Sequence, residues 1–243
     1  MSDASTPGPP AQAPPPGASL EPVLAEQDAL FYHLSHDLRA PLRAITTFTG
    51  VVLEDYSASL EPEAKDLLEK VIGAAARMER LMQNVLAFNR VSRQTPDLAP
   101  VDVNKLVGEI CAEPEFQAQQ GNIQVAAPLL AMRGDATFLR FAIRNLLDNG
   151  LKFVAPGTQP QVTISSEPAG DRVRLIFRDN GIGIAAKSHQ KIFEMFQRLS
   201  SDFEGNGLGL AVVRKALERM KGVAGVDSEP GRGSSFWLEL PKG

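Results

Sequence analysis

Two long stretches of helical periodicity, separated by one short turn, constrain this chain more than any other feature. The pattern is helical from about Glu21 to Tyr56, and again from Pro62 to about Val91. Residues 57–61 favour a turn between them, and Pro62 suits the first position of a helix. Each helix would be about 45 Å long at 1.5 Å per residue. The sequence therefore predicts a long helical hairpin.

The second helix carries an apolar seam at near-heptad spacing. Its members are Leu67, Val71, Ala75, Met78, Leu81 or Met82, Val85 and Phe88. A single hairpin of this length leaves much apolar surface open to water, and pairing with a second copy would cover it. We therefore predict a symmetric homodimer with a four-helix core.

One segment of the first helix, Ser35–Pro41, combines a histidine, an acid and a proline. At about 100° per residue, His36 points away from the apolar stripe that contains Leu38. Pro41 cannot donate a hydrogen bond to the carbonyl of Asp37, so the helix should bend or loosen there. A single exposed histidine on a helix is in most cases only a solvated residue, and this segment alone does not identify a site.

After a proline-containing linker the periodicity changes. Helical patterns cover residues 103–120, 136–153 and 208–220, and strand-like runs cover 122–126, 161–165, 172–178, 223–227 and 235–240. In the clearest strand, Val173, Leu175 and Phe177 alternate with arginines. Because helices and strands do not alternate regularly, the pattern favours an α/β sandwich with a mixed sheet over a doubly wound fold.

Composition completes the domain map. Residues 1–20 are rich in Pro, Ala, Gly and Ser, which predicts a disordered tail. We predict the hairpin over residues 21–95, a linker over 96–101 and the sandwich over 102–243.

The net charge of −4 gives no field that favours nucleic acid, and the single cysteine excludes an internal disulfide. No apolar run approaches the ~18 residues of a membrane span, and the start resembles no signal peptide, so we expect a cytoplasmic protein.

Polar residues interrupt the apolar helix at 144–153. Asn145 and Asn149 are four residues apart and share a face, which Lys152 joins three residues later. Amide oxygens and an ammonium group at this spacing suit a metal ion and a phosphate chain. Two exposed asparagines on a helix surface would give the same pattern.

Two glycine clusters flank a hydrophobic segment. Asp179–Ile184 follows a strand, and its glycines allow a tight turn close to a ligand. Gly205–Leu210 opens a helix, where free backbone N–H groups favour phosphate. No strand directly precedes this second cluster, so it is not a dinucleotide fingerprint. Residues 192–196 between the clusters suit a hydrophobic anchor, and the polar residues 197–204 suit a mobile lid.

The motifs of this chain resemble, in content and in order, those of the sensor histidine kinases of two-component systems. They are the His36 segment, the asparagine-bearing helix, the glycine cluster at 179–184, the Ile-Phe-Glu-Met-Phe segment and the glycine cluster at 205–210. The resemblance covers about residues 26–241. The local sequences at residues 35–44 and 196–199 are most similar to those of the phytochrome-type kinases. The resemblance implies a dimeric hairpin that carries the phosphoacceptor and a separate ATP-binding domain of the Bergerat type. A response regulator receiver domain and a separate sensor protein would be the partners.

The resemblance also implies roles for individual residues. His36 would be phosphorylated, and Asp37 would accept a hydrogen bond from its Nδ1–H. Asn149 would bind the Mg²⁺ that accompanies ATP, and Asp179 would accept a hydrogen bond from the adenine amino group. The other ATP-binding residues would be Asn145, Lys152, Gly181, Gly183, Gly205, Gly207, Leu208 and Gly209. Phe193 and Phe196 would anchor the lid, while His33 and His189 would be incidental.

Two positions depart from the pattern of the relatives. Ala40 stands four residues after the histidine, where many relatives have a hydroxyl or amide that can orient water. Weak phosphatase activity toward the regulator is therefore expected. Gly150 stands where relatives often have alanine, and it costs up to about 1 kcal/mol of helix propensity.

Three other functions compete with this reading. A degenerate kinase could act as an ATP-binding scaffold, but the intact His36, Asn149 and Asp179 disfavour it. A chaperone or mismatch-repair type of ATPase would lack the long hairpin. A serine kinase of the anti-sigma type would form an acid-stable phosphoserine in a partner, whereas phosphohistidine is labile to acid.

Overall fold

The computed structural model describes residues 21–199, 203 and 205–243, and it describes side chains from residue 37 onward except that of Gln120. The tail predicted over residues 1–20 lies outside the described residues. Helix α1 spans Glu21–Asp55 and contains Pro41. A single 3₁₀ turn, Ser57–Ser59, leads to helix α2, which spans Pro62–Arg93. Pro62 occupies the first turn of α2, where its missing N–H leaves no hydrogen bond unmade. The predicted hairpin is confirmed.

The two helices of the hairpin share a small core. Leu42 of α1 packs with Ala75 and Met82 of α2, and all three are buried. Other apolar side chains of the hairpin are exposed, the most exposed being Phe48 at 70%. They are Leu38, Ile45, Phe48, Val51, Leu67, Val71, Met78 and Leu81. This chain alone therefore leaves an apolar surface along the hairpin.

The remaining residues form an α/β sandwich around a mixed sheet. Its strands are β2 (Ile123–Val125), β4 (Val162–Ala169), β5 (Arg172–Asp179), β6 (Val223–Ser228) and β7 (Ser234–Pro241). Their order is β2-β4-β5-β7-β6; β2 and β4 are parallel, and the other pairs are antiparallel. A second sheet pairs β1 (Ala99–Val101) with β3 (Met132–Gly134). The predicted fold class is confirmed.

Helices cover one face of the larger sheet. They are α3 (Val103–Cys111), α4 (Pro114–Gln117), α5 (Ala136–Lys152) and α6 (Gly209–Arg219). The alternation predicted for β5 is observed, since Val173, Leu175 and Phe177 are buried. They share one core with the apolar faces of α3, α5 and α6. The core thus fixes α5 and α6 against the sheet. The polar residues of both helices lie outside this core.

Two local predictions were wrong. The helix predicted over 103–120 is divided, because Pro114 cannot continue α3 and instead starts α4 after the extended Glu113. Strands β1 and β3 were not predicted, since three residues are too few to show periodicity. As a result, part of the segment predicted as a linker pairs with β3.

The end of α2 is bound to the sandwich. Val91 is fully buried in the core of the sandwich. The Arg219 guanidinium donates to the carbonyl of Gln94, and the N–H of Asp97 donates to Asp135. Asp135 also caps α5 by accepting from the N–H groups of its first turn. The hairpin and the sandwich are therefore joined by packing as well as by the chain.

Across the described part of the chain, no helix combines the length and apolar character needed to cross a membrane.

Candidate functional site

A cavity of about 360 Å³ lies between helix α2 and the sandwich. Polar edges of α5, the loop after β5, the glycine-rich loop before α6 and one face of α2 form its walls. Of the ten predicted ATP-binding residues, eight line this cavity: Asn145, Asn149, Lys152, Asp179, Gly183, Gly205, Gly207 and Gly209. Residues that are up to 64 positions apart in sequence, from Asn145 to Gly209, thus meet at one place.

Helix α5 presents its asparagines and Lys152 to the cavity because its opposite face is in the core. Leu139, Ile143 and Leu146 are buried there. The Nδ2 atom of Asn145 donates to the carbonyl of Phe141 at 2.8 Å, which orients the Oδ1 atom away from the helix backbone. That oxygen lies directly against Gly209, only 2.6 Å from where a Cβ at that glycine would stand.

Asp179 is the last residue of β5 and also lines the cavity. Its Oδ1 atom accepts from the N–H of Gly181 at 2.8 Å and from the N–H of Ser234 at 3.0 Å. Burial raises the pKa of this carboxyl above its usual range, and the two backbone hydrogen bonds offset part of the rise. The site thus holds a largely buried acceptor in a fixed orientation.

The two predicted residues that do not line the cavity support it. A Cβ at Gly181 would stand 2.8 Å from Oδ1 of Asp179 and would press on the carbonyl of Phe153, so only glycine fits. Leu208 is buried, and its N–H donates to Oδ1 of Asn206 at 3.0 Å. Leu208 therefore fixes the start of α6 by packing, with its N–H already bonded within the loop.

The glycine-rich loop closes the cavity at the end where Lys152 lies. Gly207 has a φ of 67°, and a Cβ there would stand 2.6 Å from the backbone of Phe196, so both conformation and space require glycine. A Cβ at Gly205 would stand 3.6 Å from Nζ of Lys152. The loop backbone and the Lys152 ammonium thus face the same space.

The predicted lid anchor is only half correct. Phe193 is buried and packs edge-on against Phe236, with ring centroids 6.5 Å apart. Phe196 is 66% exposed, and its backbone N–H, not its ring, ties the segment to Gly207 at 2.9 Å. Phe196 also has a left-handed φ of 62°, which is uncommon for a residue other than glycine. Of the predicted lid, residues 200–202 and 204 lie outside the described residues.

Several residues that line the cavity were not predicted. Arg77, Arg80 and Asn84 of helix α2 line the cavity, as does Ser234 at the start of β7. The three α2 residues are spaced by three and four, so they share a helix face. That spacing was visible in the sequence, but only the folded chain shows that this face meets the cavity.

An ion-pair network beside the cavity was also not predicted. Arg140 pairs with Glu109 and Glu113, and Arg144 pairs with Glu113 and Glu115. Burial raises the pKa of Glu115, as does the nearby Asp148, whereas Arg80 lowers it. Burial lowers the pKa of Arg144. The network joins α3 and α4 to α5 and extends to helix α2 through Arg80.

His36 lies on the backbone of α1, and its side chain is among those that the structure does not describe. Asp37 and Ala40 are exposed. His189 contacts the carbonyl of Ile184 through Nε2 at 3.1 Å, outside the cavity lining. Within the described residues, no group of three His, Cys, Asp or Glu side chains could hold a metal ion. Asn145 and Asn149 line the cavity, and their amide oxygens are of the kind that Mg²⁺ prefers.

Comparisons with known proteins match both parts of the chain. Residues 26–94 match the family described as His Kinase A (phospho-acceptor) domain. Residues 134–243 match the family described as histidine kinase-, DNA gyrase B-, and HSP90-like ATPase. The two matches follow one another in the order predicted from the motifs.

Individual relatives are similar over most of this chain. It is 32% identical to the methanogenesis regulatory histidine kinase FilI of Methanothrix harundinacea, over 91% of this chain and 25% of that protein. It is 29% identical to the phytochrome-like protein Cph1 of Synechocystis, over 93% of this chain and 30% of that protein. The crystal structure of full-length ShkA in complex with AMPPNP matches with a TM-score of 0.62 and 29% identity, over 88% of this chain and 46% of that chain. The chain thus spans less than a third of either curated relative's length.

Proposed function

This chain belongs to the sensor histidine kinases of two-component systems, and on that basis we propose that it transfers the γ-phosphoryl group of ATP to its own His36. The phosphoryl group then passes to an aspartate of a response regulator receiver domain. One observation carries the proposal: eight of the ten predicted ATP-binding residues line one cavity, and helix α2 of the hairpin that bears His36 forms part of its wall.

The position of the cavity along the hairpin supports a reaction with this histidine. The hairpin is antiparallel about the turn at Ser57–Ser59, and Leu42 packs with Ala75 and Met82. Since both helices rise equally per residue, the backbone of His36 lies opposite the stretch of α2 around Leu81 and Asn84. Leu81 and Asn84 are themselves part of the cavity wall. The nucleotide would therefore bind at the same level along the hairpin axis as the proposed phosphoacceptor His36.

The two ends of the cavity suit the two ends of ATP. The Asp179 carboxylate would accept a hydrogen bond from the adenine amino group, which guanine lacks at that position. Lys152 and the loop at 205–209 would bind the phosphates, and Gly183 would leave room for the base. The amide oxygens of Asn145 and Asn149 fit Mg²⁺, which takes oxygen ligands and usually binds together with substrate phosphates. Mg²⁺ would neutralise charge on the phosphates when bound.

In the proposed reaction, Nε2 of His36 attacks the γ-phosphorus while the bond from that phosphorus to the bridging oxygen breaks. ADP leaves, and the imidazole carries the phosphoryl group. Asp37 would accept the Nδ1–H hydrogen bond, which keeps the lone pair on Nε2. Transfer of this kind depends mainly on positioning and charge neutralisation. Those are the tasks of Lys152 and the glycine-rich loop.

We also propose that the working unit is a homodimer, because a second hairpin would cover apolar side chains that this chain exposes outside the cavity, such as Phe48, Leu67 and Val71. A separate sensor protein would supply the stimulus. The absence of a hydrogen-bonding group at Ala40 supports a kinase with weak phosphatase activity toward its regulator.

The test is incubation with γ-labelled ATP and Mg²⁺. The wild type should take up label that acid removes, and His36→Gln should take up none. His33→Gln is the matched control, since His33 lies one turn away on the same helix, and it should label like the wild type. Label persisting in His36→Gln would contradict the proposed acceptor. ATP binding without any label in the wild type would instead favour a catalytically degenerate scaffold.

A further inference from the structure

Helix α2 contributes five residues to the wall of the nucleotide cavity. They are Arg77, Met78, Arg80, Leu81 and Asn84. None of them belongs to the motifs that predicted the ATP site. The cavity is consequently shared between the sandwich and the helix that pairs with the phosphoacceptor helix.

This face of α2 meets the end of the cavity assigned to the phosphates. Nδ2 of Asn84 lies 3.4 Å from Oδ1 of Asn206, in the glycine-rich loop. Asn206 is next to Gly205, which faces the Lys152 ammonium. Asp179, at the adenine end, makes its contacts instead with Gly181 and Ser234. Asn84 therefore lies at the glycine-rich loop, and Arg80 stands one turn before it on the same face of α2.

The charges on this face suit a triphosphate. Arg77 and Arg80 stand one turn apart on α2. A Cβ at Gly73 would stand 3.4 Å from Nη1 of Arg77, so that guanidinium extends along α2 toward the preceding turn. Arg80 also lines the cavity, and it is close enough to Glu115 of α4 to lower the pKa of that carboxyl, so its guanidinium lies on the side of α2 that faces the sandwich. Of the two arginines, Arg80 is thus the one next to α5 and the sandwich.

Resting on the proposed function, we propose that Arg80 binds the β- and γ-phosphates of ATP, so that helix α2 completes the nucleotide site. Asn84 holds the glycine-rich loop against the helix in the same arrangement. A guanidinium group donates paired hydrogen bonds to phosphate oxygens, which makes it well suited to this role. ATP binding then also strengthens the contact between the sandwich and α2, since the phosphates are bound from both sides.

The test measures nucleotide binding by calorimetry in the full chain carrying His36→Gln, so that no phosphoryl transfer interferes. Arg80→Ala should weaken binding of Mg-ATP about tenfold, as expected for losing a charged hydrogen bond, and leave adenosine binding unchanged. Arg80→Lys should restore part of the affinity, because it keeps the charge but not the paired geometry. Arg90→Ala is the matched control, since Arg90 is exposed on α2 and bonds Gln94 outside the cavity; it should bind ATP normally.

Two outcomes would overturn the inference alone. One is unchanged ATP affinity in Arg80→Ala; the other is an equal loss of ATP and adenosine binding, which would show that Arg80 maintains the fold. If the chain with native Arg80 binds neither ATP nor adenosine, the proposed function fails as well. Circular dichroism of each variant separates a binding defect from unfolding.

Discussion

Oδ1 of Asp179 accepts a hydrogen bond from the backbone N–H of Ser234 at 3.0 Å, although 55 residues separate them in sequence. The antiparallel register of β5 and β7, which pairs Arg178 with Ser235, brings the two together. A Cβ at Gly233 would press on the carbonyl of Asp179, so glycine is needed for this approach. The orientation of the proposed adenine acceptor therefore depends on sheet pairing as well as on its own motif.

Both the unfolding free energy and the ATP affinity should depend on the protonation of Asp179. Burial raises the pKa of Asp179, so the folded protein holds this proton more tightly than the unfolded chain does. The unfolding free energy should therefore fall as pH rises from the ordinary pKa of an aspartate through the raised value. Nucleotide affinity should change in the opposite sense, since only the ionised carboxylate accepts freely from the adenine amino group. As the pH is lowered, ATP affinity should therefore begin to fall at a higher pH than it would if Asp179 had the ordinary pKa of an aspartate.

Carboxyl NMR of Asp179 and ATP titrations across pH would check this. Asp179→Asn removes the titrating group. This variant should bind ATP weakly, and its affinity should not show the pH-dependent fall expected for the wild type. A titration midpoint of Asp179 below the ordinary aspartate value would contradict the expectation.

Gly209→Ala should weaken nucleotide binding while leaving the fold nearly intact. A Cβ at this position would stand 2.6 Å from Oδ1 of Asn145, and this amide can yield only by turning away from its present place. Gly209 starts α6, where alanine is a better helix former by about 1 kcal/mol. We expect Mg-ATP affinity to fall several-fold and the melting temperature to stay close to that of the wild type. A large loss of melting temperature would show that Asn145 cannot move.

Gly150→Ala should destabilise the protein even though alanine favours helices. A Cβ at Gly150 would stand 2.7 Å from Cγ2 of Val162, a buried residue of β4. The overpacking costs about 1–3 kcal/mol and outweighs the ~1 kcal/mol gain in helix propensity. Denaturant unfolding would measure the loss. The double variant Gly150→Ala with Val162→Ala should lose less than the sum of the two single variants, and additive losses would contradict close packing.

Pro41→Ala should slow autophosphorylation more than it changes ATP affinity. Pro41 lies inside α1 and leaves the carbonyl of Asp37 without its helical hydrogen bond. Alanine would restore that bond and stiffen the helix beside His36. Single-turnover labelling gives the rate, and calorimetry gives the affinity. Equal rates in both proteins would argue against a need for local rearrangement.

Ala40→Thr should raise phosphatase activity toward the phosphorylated regulator. Ala40 is exposed, four residues after His36, so a hydroxyl there can orient water toward a docked phosphoaspartate. Loss of phosphate from a purified phospho-regulator would be timed with each variant. Ala44→Thr, one turn further along α1, is the matched control and should have no effect. Rapid dephosphorylation by the unaltered chain would show that Ala40 is no barrier.

The sequence predicted elements with long periodic patterns and missed those that depend on partners. Helix α2 has 32 residues and a proline at its start, so its type and bounds were predictable. Strands β1 and β3 have three residues each and exist because they pair with each other. Likewise Pro114, though visible in the sequence, was not recognised as dividing a helix.

The site was predictable where its residues are close in sequence. Asn145, Asn149 and Lys152 share one helix face, and local periodicity shows that. The placement of Arg80 depends on how a distant helix packs against the sandwich, and that of Ser234 depends on β-strand register. Neither follows from local pattern, because both arise from tertiary contacts.

Val91 closes the hairpin helix α2 and is at the same time fully buried in the core of the ATP-binding domain. Exposing a valine side chain to water costs about 1.5–3 kcal/mol, so the last turn of α2 resists separation from that domain. A rotation of α2 about its axis would therefore tend to turn that domain with it, because this contact joins them before the chain reaches residues 96–101. The level of His36, the proposed phosphoacceptor, is only about two turns earlier along α2, so the two parts of the proposed reaction are mechanically coupled over a short distance.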